Sequence, residues 1–162
     1  MPDLTVWLYD TPLGVDAGEL RLKRVVEQEV LRVHDAAAVI WMPGAEEPKV
    51  RRLQHGAGKA AGKGSILGGL IGLVVLAPAV GAAAGAAAGA VVHRLRSAGI
   101  DDEVVDRIRE EIQPGTSALL VLSSDVDAAR LRPLLAHREA TLLHAELSED
   151  APAVLRELLE ET

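Results

Sequence analysis

Ser117-Ala-Leu-Leu-Val-Leu-Ser123 is an unbroken apolar run, entered from Pro114-Gly115 and left through Ser124-Asp125. It is too short for an ordinary helix, and it does not alternate between apolar and polar. A strand of this kind is buried on both faces and sits inside a sheet. The chain must therefore build a sheet around residues 117–123 and supply cover for two surfaces.

Working outward, Asp101 or Asp102 is placed to cap a helix that runs to about Ile112. Its apolar stripe is Val104, Val105, Ile108 and Ile112, and Pro114-Gly115 stops it. The acids Asp101, Asp102 and Glu103 serve that helix start by capping and by offsetting its dipole, and do not read as a catalytic pair. Beyond the central run, Asp125 to His137 is a helix with Pro133 awkwardly inside it. Thr141 to Leu147 alternates as a strand, and Ser148 caps a last helix that turns Val154, Leu155, Leu158 and Leu159 inward.

Toward the N-terminus, Leu4 to Tyr9 is a strand broken by Thr11-Pro-Leu-Gly14. A helix is expected from about Asp16 to His34, with Leu22, Val26, Val30 and Val33 along one side. Ala37 to Met42 forms a strand ended by Pro43-Gly44, and Lys49 to Leu53 a short one after the turn at Glu46-Glu47-Pro48. The order β-α-β-β-insert-α-β-α-β-α predicts an α+β protein, a ferredoxin-like α/β sandwich. Helices are expected on one face of a mixed sheet, the other face being covered by the insert or by a second copy. The sandwich is discontinuous, residues 1–55 and 96–162, and residues 56–95 are inserted into it.

The insert has its own composition. Gly64-xxx-Gly68-xxx-Gly72 and Gly81-xxx-Gly85-xxx-Gly89 are two ladders separated by Pro78. Four-residue spacing puts each ladder on one helical face, which predicts a Gly/Ala-rich glycine-zipper helical hairpin turning near Ala77 to Ala79. Each helical glycine costs about 1 kcal/mol relative to alanine, so close packing of backbones has to offset six of them. Arm length limits what the hairpin does. Ser65 to Leu76 is 12 residues, about 18 Å as a helix, and Val80 to Val92 is 13 residues, about 20 Å. Neither crosses a hydrocarbon core of about 30 Å. One kinked helix would reach, but it would put the two halves of the sheet on opposite sides of the bilayer with their edges open. A re-entrant hairpin avoids this.

Charge supports the same segment. Between Pro48 and Ile100 there is no Asp or Glu, and seven cations give +7 against −14 for the flanks. Arg51, Arg52, Lys59, Lys63, Arg94 and Arg96 form a basic base, suited to anionic head groups on the cytoplasmic side. The second arm, GAAAGAAAGAVV, is weakly apolar, so the hairpins are also suited to the dry centre of a soluble homo-oligomer.

Other chemistries find little support. There is no Cys, so thiolate metal sites, disulfides and cysteine nucleophiles are excluded. Trp7, Trp41 and Tyr9 are the only aromatics, and an acidic chain without an aromatic-basic patch is a poor nucleic-acid binder. Gly56 to Ser65 fails as a phosphate loop, because Ala57 stands where the first Gly is needed and Gly64 follows Lys63. His34, His55, His93, His137 and His144 have no metal-ligand spacing on one element, although His55 and His93 flank the insert. No catalytic residues, cofactor or metal site are expected. Asp3 and Asp10 stand where a signal peptide needs basic residues, which predicts a cytoplasmic start.

The glycine-rich arm, the turn at Leu76-Ala77-Pro78, VGAAAGAAAGA from Val80 and SAGIDDEVVDRIREEIQPGTSALLVL from Ser97 together resemble the bacterial family called domain of unknown function 1269, often labelled as membrane proteins. The resemblance extends from the first strand to the last helix and is sharpest at Gly99 to Asp102 and Pro114 to Leu122. Ala77-Pro78 departs from the Asn-Pro expected there. The resemblance implies a ferredoxin-like domain carrying a zipper hairpin, and it brings no activity, substrate or catalytic residue. The expected function is thus a non-enzymatic, self-associating protein docked on or dipping into the cytoplasmic membrane through Gly64, Gly68, Gly72, Pro78, Gly81, Gly85 and Gly89. The alternative is a soluble homo-oligomeric scaffold or shell-type assembly with hairpins packed in its core, located in the cytoplasm.

Overall fold

The computed structural model describes residues 2–53, 67, 93, 95–125, 127, 129–130, 141–147 and 149, without the side chains of residues 142 and 144. Nearly all of the expected hairpin and last helix, and most of the helix expected from Asp125, lie outside the described residues.

Five strands form one sheet: β1 (Asp3–Tyr9), β2 (Arg32–Ile40), β3 (Lys49–Arg52), β4 (Ser117–Ser124) and β5 (Thr141–Glu146). Their order is β3-β2-β4-β1-β5, and every pairing is antiparallel. The protein is therefore α+β, but the sheet is not mixed. β1 and β2 run the same way, joined by a helical crossover, yet they are not neighbours. β4 enters between them in the opposite direction and pairs with both.

β4 takes the central place its composition demands, buried from Ser117 to Ser123. Its side chains alternate between two apolar clusters. Leu119 and Val121 join Trp7, Tyr9, Ala36, Ala38, Val15 and Leu22 on the first face. Ala118, Leu120 and Leu122 join Leu4, Val6, Leu8, Ala37 and Val39 on the second.

The first face is covered by α1 (Gly14–Glu27), which buries Val15, Gly18, Leu22 and Val25. Its seating is set at its start. Buried Ser117 donates to the carbonyl of Thr11 at 2.6 Å and accepts from the amide of Val15 at 3.1 Å, tying the first turn to β4. The helix ends at Glu27, well before the expected His34. Glu29 takes a left-handed conformation with φ 54°, while the Val30 amide bonds the Val25 carbonyl and the Glu29 amide that of Val26. This is a Schellman ending, with Val30 fully buried behind it. Val33 consequently belongs to β2 and not to a helical stripe.

The second face carries a different cover. α2 (Asp102–Glu111) contributes Val105 and Ile108, followed by Ile112, to the cluster on that side. Leu67, Leu95, Ala98 and Ile100 belong to the same cluster. Helical residues are thus found on both sides of the sheet, where the chain's own helices were expected on one face and the insert or a second copy on the other. The second face carries Leu67 and Leu95 of the insert, as one of those two expectations had it, and also α2, which was expected on the first face.

Candidate interaction site

The candidate site is the place where the inserted segment is held on the second face of the sheet, at Leu67 and Leu95. Its outgoing end is described at Leu67, a helical residue whose side chain is completely buried. The Leu67 amide donates to Oδ2 of Asp35 at 3.0 Å. Asp35 is 8% exposed and lies on the second face, opposite Leu122. Its Oδ1 accepts from the amide of Ala36 at 3.0 Å. A register irregularity between Val33 and Asp35 brings the carboxylate to this face.

The returning end is anchored by Leu95. Residues 95–97 are helical, and Gly99 adopts φ 96°. The Ile100 amide bonds the Leu95 carbonyl at 2.9 Å, which closes a second Schellman ending in which Leu95 and Ile100 are both buried. Asp101 then caps α2, its carboxylate accepting from the Val104 amide at 3.0 Å. Asp102 forms an ion pair with Arg96. The hydrogen bond to Arg96 holds the Asp102 carboxyl below its usual range, and the same bond raises Arg96. Gly99-Ile100-Asp101-Asp102 therefore ends one helix, plugs the core, starts the next helix and clamps the junction.

The expected basic base is divided among different surroundings. Arg51 on β3 bonds Glu19 and Asp16 of α1, the Asp16 contact being 3.2 Å, on the first-face side of the sheet. The hydrogen bond that Arg51 donates to Glu19 contributes most to raising the Arg51 pKa. Arg52 alternates to the second face, opposite Ala37. All four residues of β3 are exposed, and cations on a short terminal strand discourage unwanted strand pairing. Gly64, Gly68, Gly72, Pro78, Gly81, Gly85, Gly89, Lys59, Lys63 and Arg94 lie outside the described residues, as does His55. His93 is exposed, and His34 bonds Ser124 Oγ at 2.7 Å.

Asp35 and Leu67 are the pair that sequence reading missed. The available signal was a single acid inside Val33-His-Asp-Ala-Ala-Ala-Val39, where a strand passes through the core. Among the described residues, no group of three or more His, Cys, Asp or Glu is placed to hold a metal ion, and no helix is long and apolar enough to cross a membrane.

A family model described as "Protein of unknown function (DUF1269)" matches residues 61–160. The match contains Gly99 to Asp102 and Pro114 to Leu122. It begins in the insert, so β1, α1, β2 and β3 precede it, whereas the resemblance was expected to start at the first strand. No curated protein and no solved structure matches the chain.

Proposed function

The chain belongs to the DUF1269 family of proteins of unknown function, and from that premise we propose that it is a non-enzymatic, self-associating protein that docks on the cytoplasmic membrane through residues 64–92. One observation carries the reading: Leu67 and Leu95 both belong to the cluster on the second face of the sheet. A segment whose two ends are held on one face is suited to a re-entrant path and ill suited to a single span. The finer fold belongs to this proposal. The order β2-β4-β1-β5 with its β1-α1-β2 crossover supports a ferredoxin-like sandwich, β3 being an added edge strand and residues 56–95 a glycine-zipper hairpin.

Flotation with liposomes tests the docking. The full chain is expected to rise with vesicles containing anionic lipid at low salt, and to rise less as salt screens the basic residues. A chain that stays at the bottom under both conditions contradicts membrane docking.

A second reading has its own support. Leu67 is buried against the protein's sheet, so the segment begins by packing on protein and not on lipid. That favours a soluble homo-oligomer in which hairpins pack together. Such an assembly is expected to have a large mass without detergent and to break down on Gly85→Leu, because an isobutyl group forces close backbones apart. An unchanged sedimentation profile for this variant argues against it.

A further inference from the structure

We propose that the outer face of α1 is a contact between two copies of this chain, paired antiparallel about a two-fold axis near Ala17. The surface is separate from residues 64–92. The inference therefore goes beyond the reading above and does not depend on it.

The outer stripe of α1 departs from an ordinary solvated helix face. Among the described residues, the two most exposed large apolar side chains are Leu13, at 71%, and Leu20, at 64%. Leu13, Ala17, Leu20 and Arg24 follow one another at steps of four, three and four, the spacing of a seam between two helices. They lie opposite the buried side formed by Val15, Gly18, Leu22 and Val25. The small side chain of Ala17 stands between the leucines and lets a second helix come close. Leu13 is also the N-cap of α1, and its side chain makes no capping hydrogen bond. Ser, Thr, Asp or Asn there would stabilise the helix start. The chain places a solvated leucine at that position instead, and an apolar partner offsets the loss.

Charge selects a second copy as the occupant and sets its direction. The first 20 residues contain no Lys or Arg, and the cations of α1 are Arg21, Lys23 and Arg24. Asp10 is exposed at the turn before the helix, and Lys23 and Arg24 are exposed near its end. None of these three makes a side-chain hydrogen bond or ion pair among the described residues. An antiparallel second copy brings its Leu20 beside Leu13 and its Lys23 and Arg24 toward Asp10. A parallel one sets cations against cations. An anionic lipid surface suits the basic end of the stripe and repels the acidic end. The stripe is thus self-complementary, as a two-fold contact requires. One helix wide, it belongs to the small, weak class of interfaces.

Sedimentation of the full-length chain reads the contact, in the wild-type background and with Gly85→Leu. Leu20→Glu is expected to raise the dimer dissociation constant about tenfold or more. Its circular dichroism spectrum and urea midpoint should stay near wild type, because the side chain is exposed. Leu20→Gln replaces it should the charged variant fold poorly. A dissociation constant changed by less than about twofold overturns the proposal. Crosslinking reads the direction, since the chain has no Cys. Under oxidation, Ala17→Cys is expected to give a disulfide-linked dimer. Arg24→Cys is not, because the two copies of that position stand about 21 Å apart along an antiparallel pair. Equal crosslinking at both positions, or at neither, overturns the arrangement. The Ala17→Cys dimer should form equally well with Gly85→Leu, and its loss there overturns independence from the insert. If Leu20→Glu lowers binding to anionic vesicles and leaves the sedimenting mass unchanged, the face meets lipid and the second copy is excluded.

Discussion

Gly14→Ala is expected to destabilise the protein by about 1–3 kcal/mol, although alanine ordinarily suits a helix better than glycine by about 1 kcal/mol. The sign is decided by Tyr9. A Cβ on Gly14 would stand 2.5 Å from Tyr9 Cβ, and one on Gly18 would stand 2.2 Å from Tyr9 Oη. Tyr9 is 4% exposed and lies between the sheet and α1, so its ring has no open side into which to retreat. At Gly14 the conflict is with an atom bonded directly to the strand backbone. Relief requires α1 to lift, and lifting loosens Val15, Leu22 and the Ser117 bonds together. At Gly18 the conflict is with the tip of the ring. Tyr9→Phe removes Oη but leaves Cζ at 3.0 Å. A double-mutant cycle should therefore recover roughly 1 kcal/mol of the Gly18→Ala cost in the Tyr9→Phe background and leave the Gly14→Ala cost unchanged within about 0.5 kcal/mol. Urea midpoints at constant slope give the comparison. Alanine variants as stable as wild type would mean that α1 does not approach Tyr9 this closely.

These two glycines also show what the four-residue spacing means. Gly14 and Gly18 have the spacing of the insert's ladders, yet they serve to seat a helix on a tyrosine. Glycine spacing reports close approach, and the neighbours decide whether the approaching surface is a sheet, another arm or a second chain.

What was legible in the sequence was local. The apolar run at Ser117 announced a doubly buried strand without reference to its partners. Asp101, the stripe through Val105 and Ile108, and Pro114-Gly115 defined α2 almost completely. The end of α1 was hidden because its signal was atypical. Glu29 occupies the left-handed position where glycine is usual, and Val26, Val30 and Val33 continue a helical spacing past it. The periodicity was real, but Val30 serves as the helix plug and Val33 as a strand residue. The insert was one of the two covers expected for the second face, but the contact that seats it there was hidden for another reason. Asp35 and Leu67 are 32 residues apart, and no local pattern links a strand acid to an amide in a glycine-rich segment. In the candidate site, the Gly99 to Asp102 junction was partly legible, as a helix cap. The pairing of Arg51 with α1 and of Arg96 with α2 was not, because charge counting along the chain does not show which side of the sheet each cation faces.

The second large effect concerns the cover of the second face. Leu119 and Leu120 are adjacent on β4, and both are completely buried. They report different layers. Leu119 packs in the cluster with Val15 and Leu22, and Leu120 in the cluster with Leu67, Leu95 and Val105. Truncation to alanine in a close-packed core costs about 2–5 kcal/mol, the spread depending on how far the surroundings collapse into the space. Leu119→Ala should fall in that range whatever the insert does, because α1 covers it. Leu120→Ala discriminates. With the ends of the insert seated on the second face in the free chain, its cost should match that of Leu119→Ala within about 1 kcal/mol, since the two side chains are alike and equally enclosed. With that face open to solvent, the cavity and most of the transfer penalty disappear, and the cost should fall to about 1 kcal/mol or less. Equilibrium unfolding of the two variants settles which description applies. A small Leu120→Ala effect beside a large Leu119→Ala effect would mean that the insert stands away from the domain before any partner arrives. Equal effects mean that Leu67 and Leu95 are seated on the sheet in the free chain. Asp35 bonds the Leu67 amide at that seat, so Leu120→Ala should also speed exchange at the Leu67 amide without reversing the order of protection on the first face.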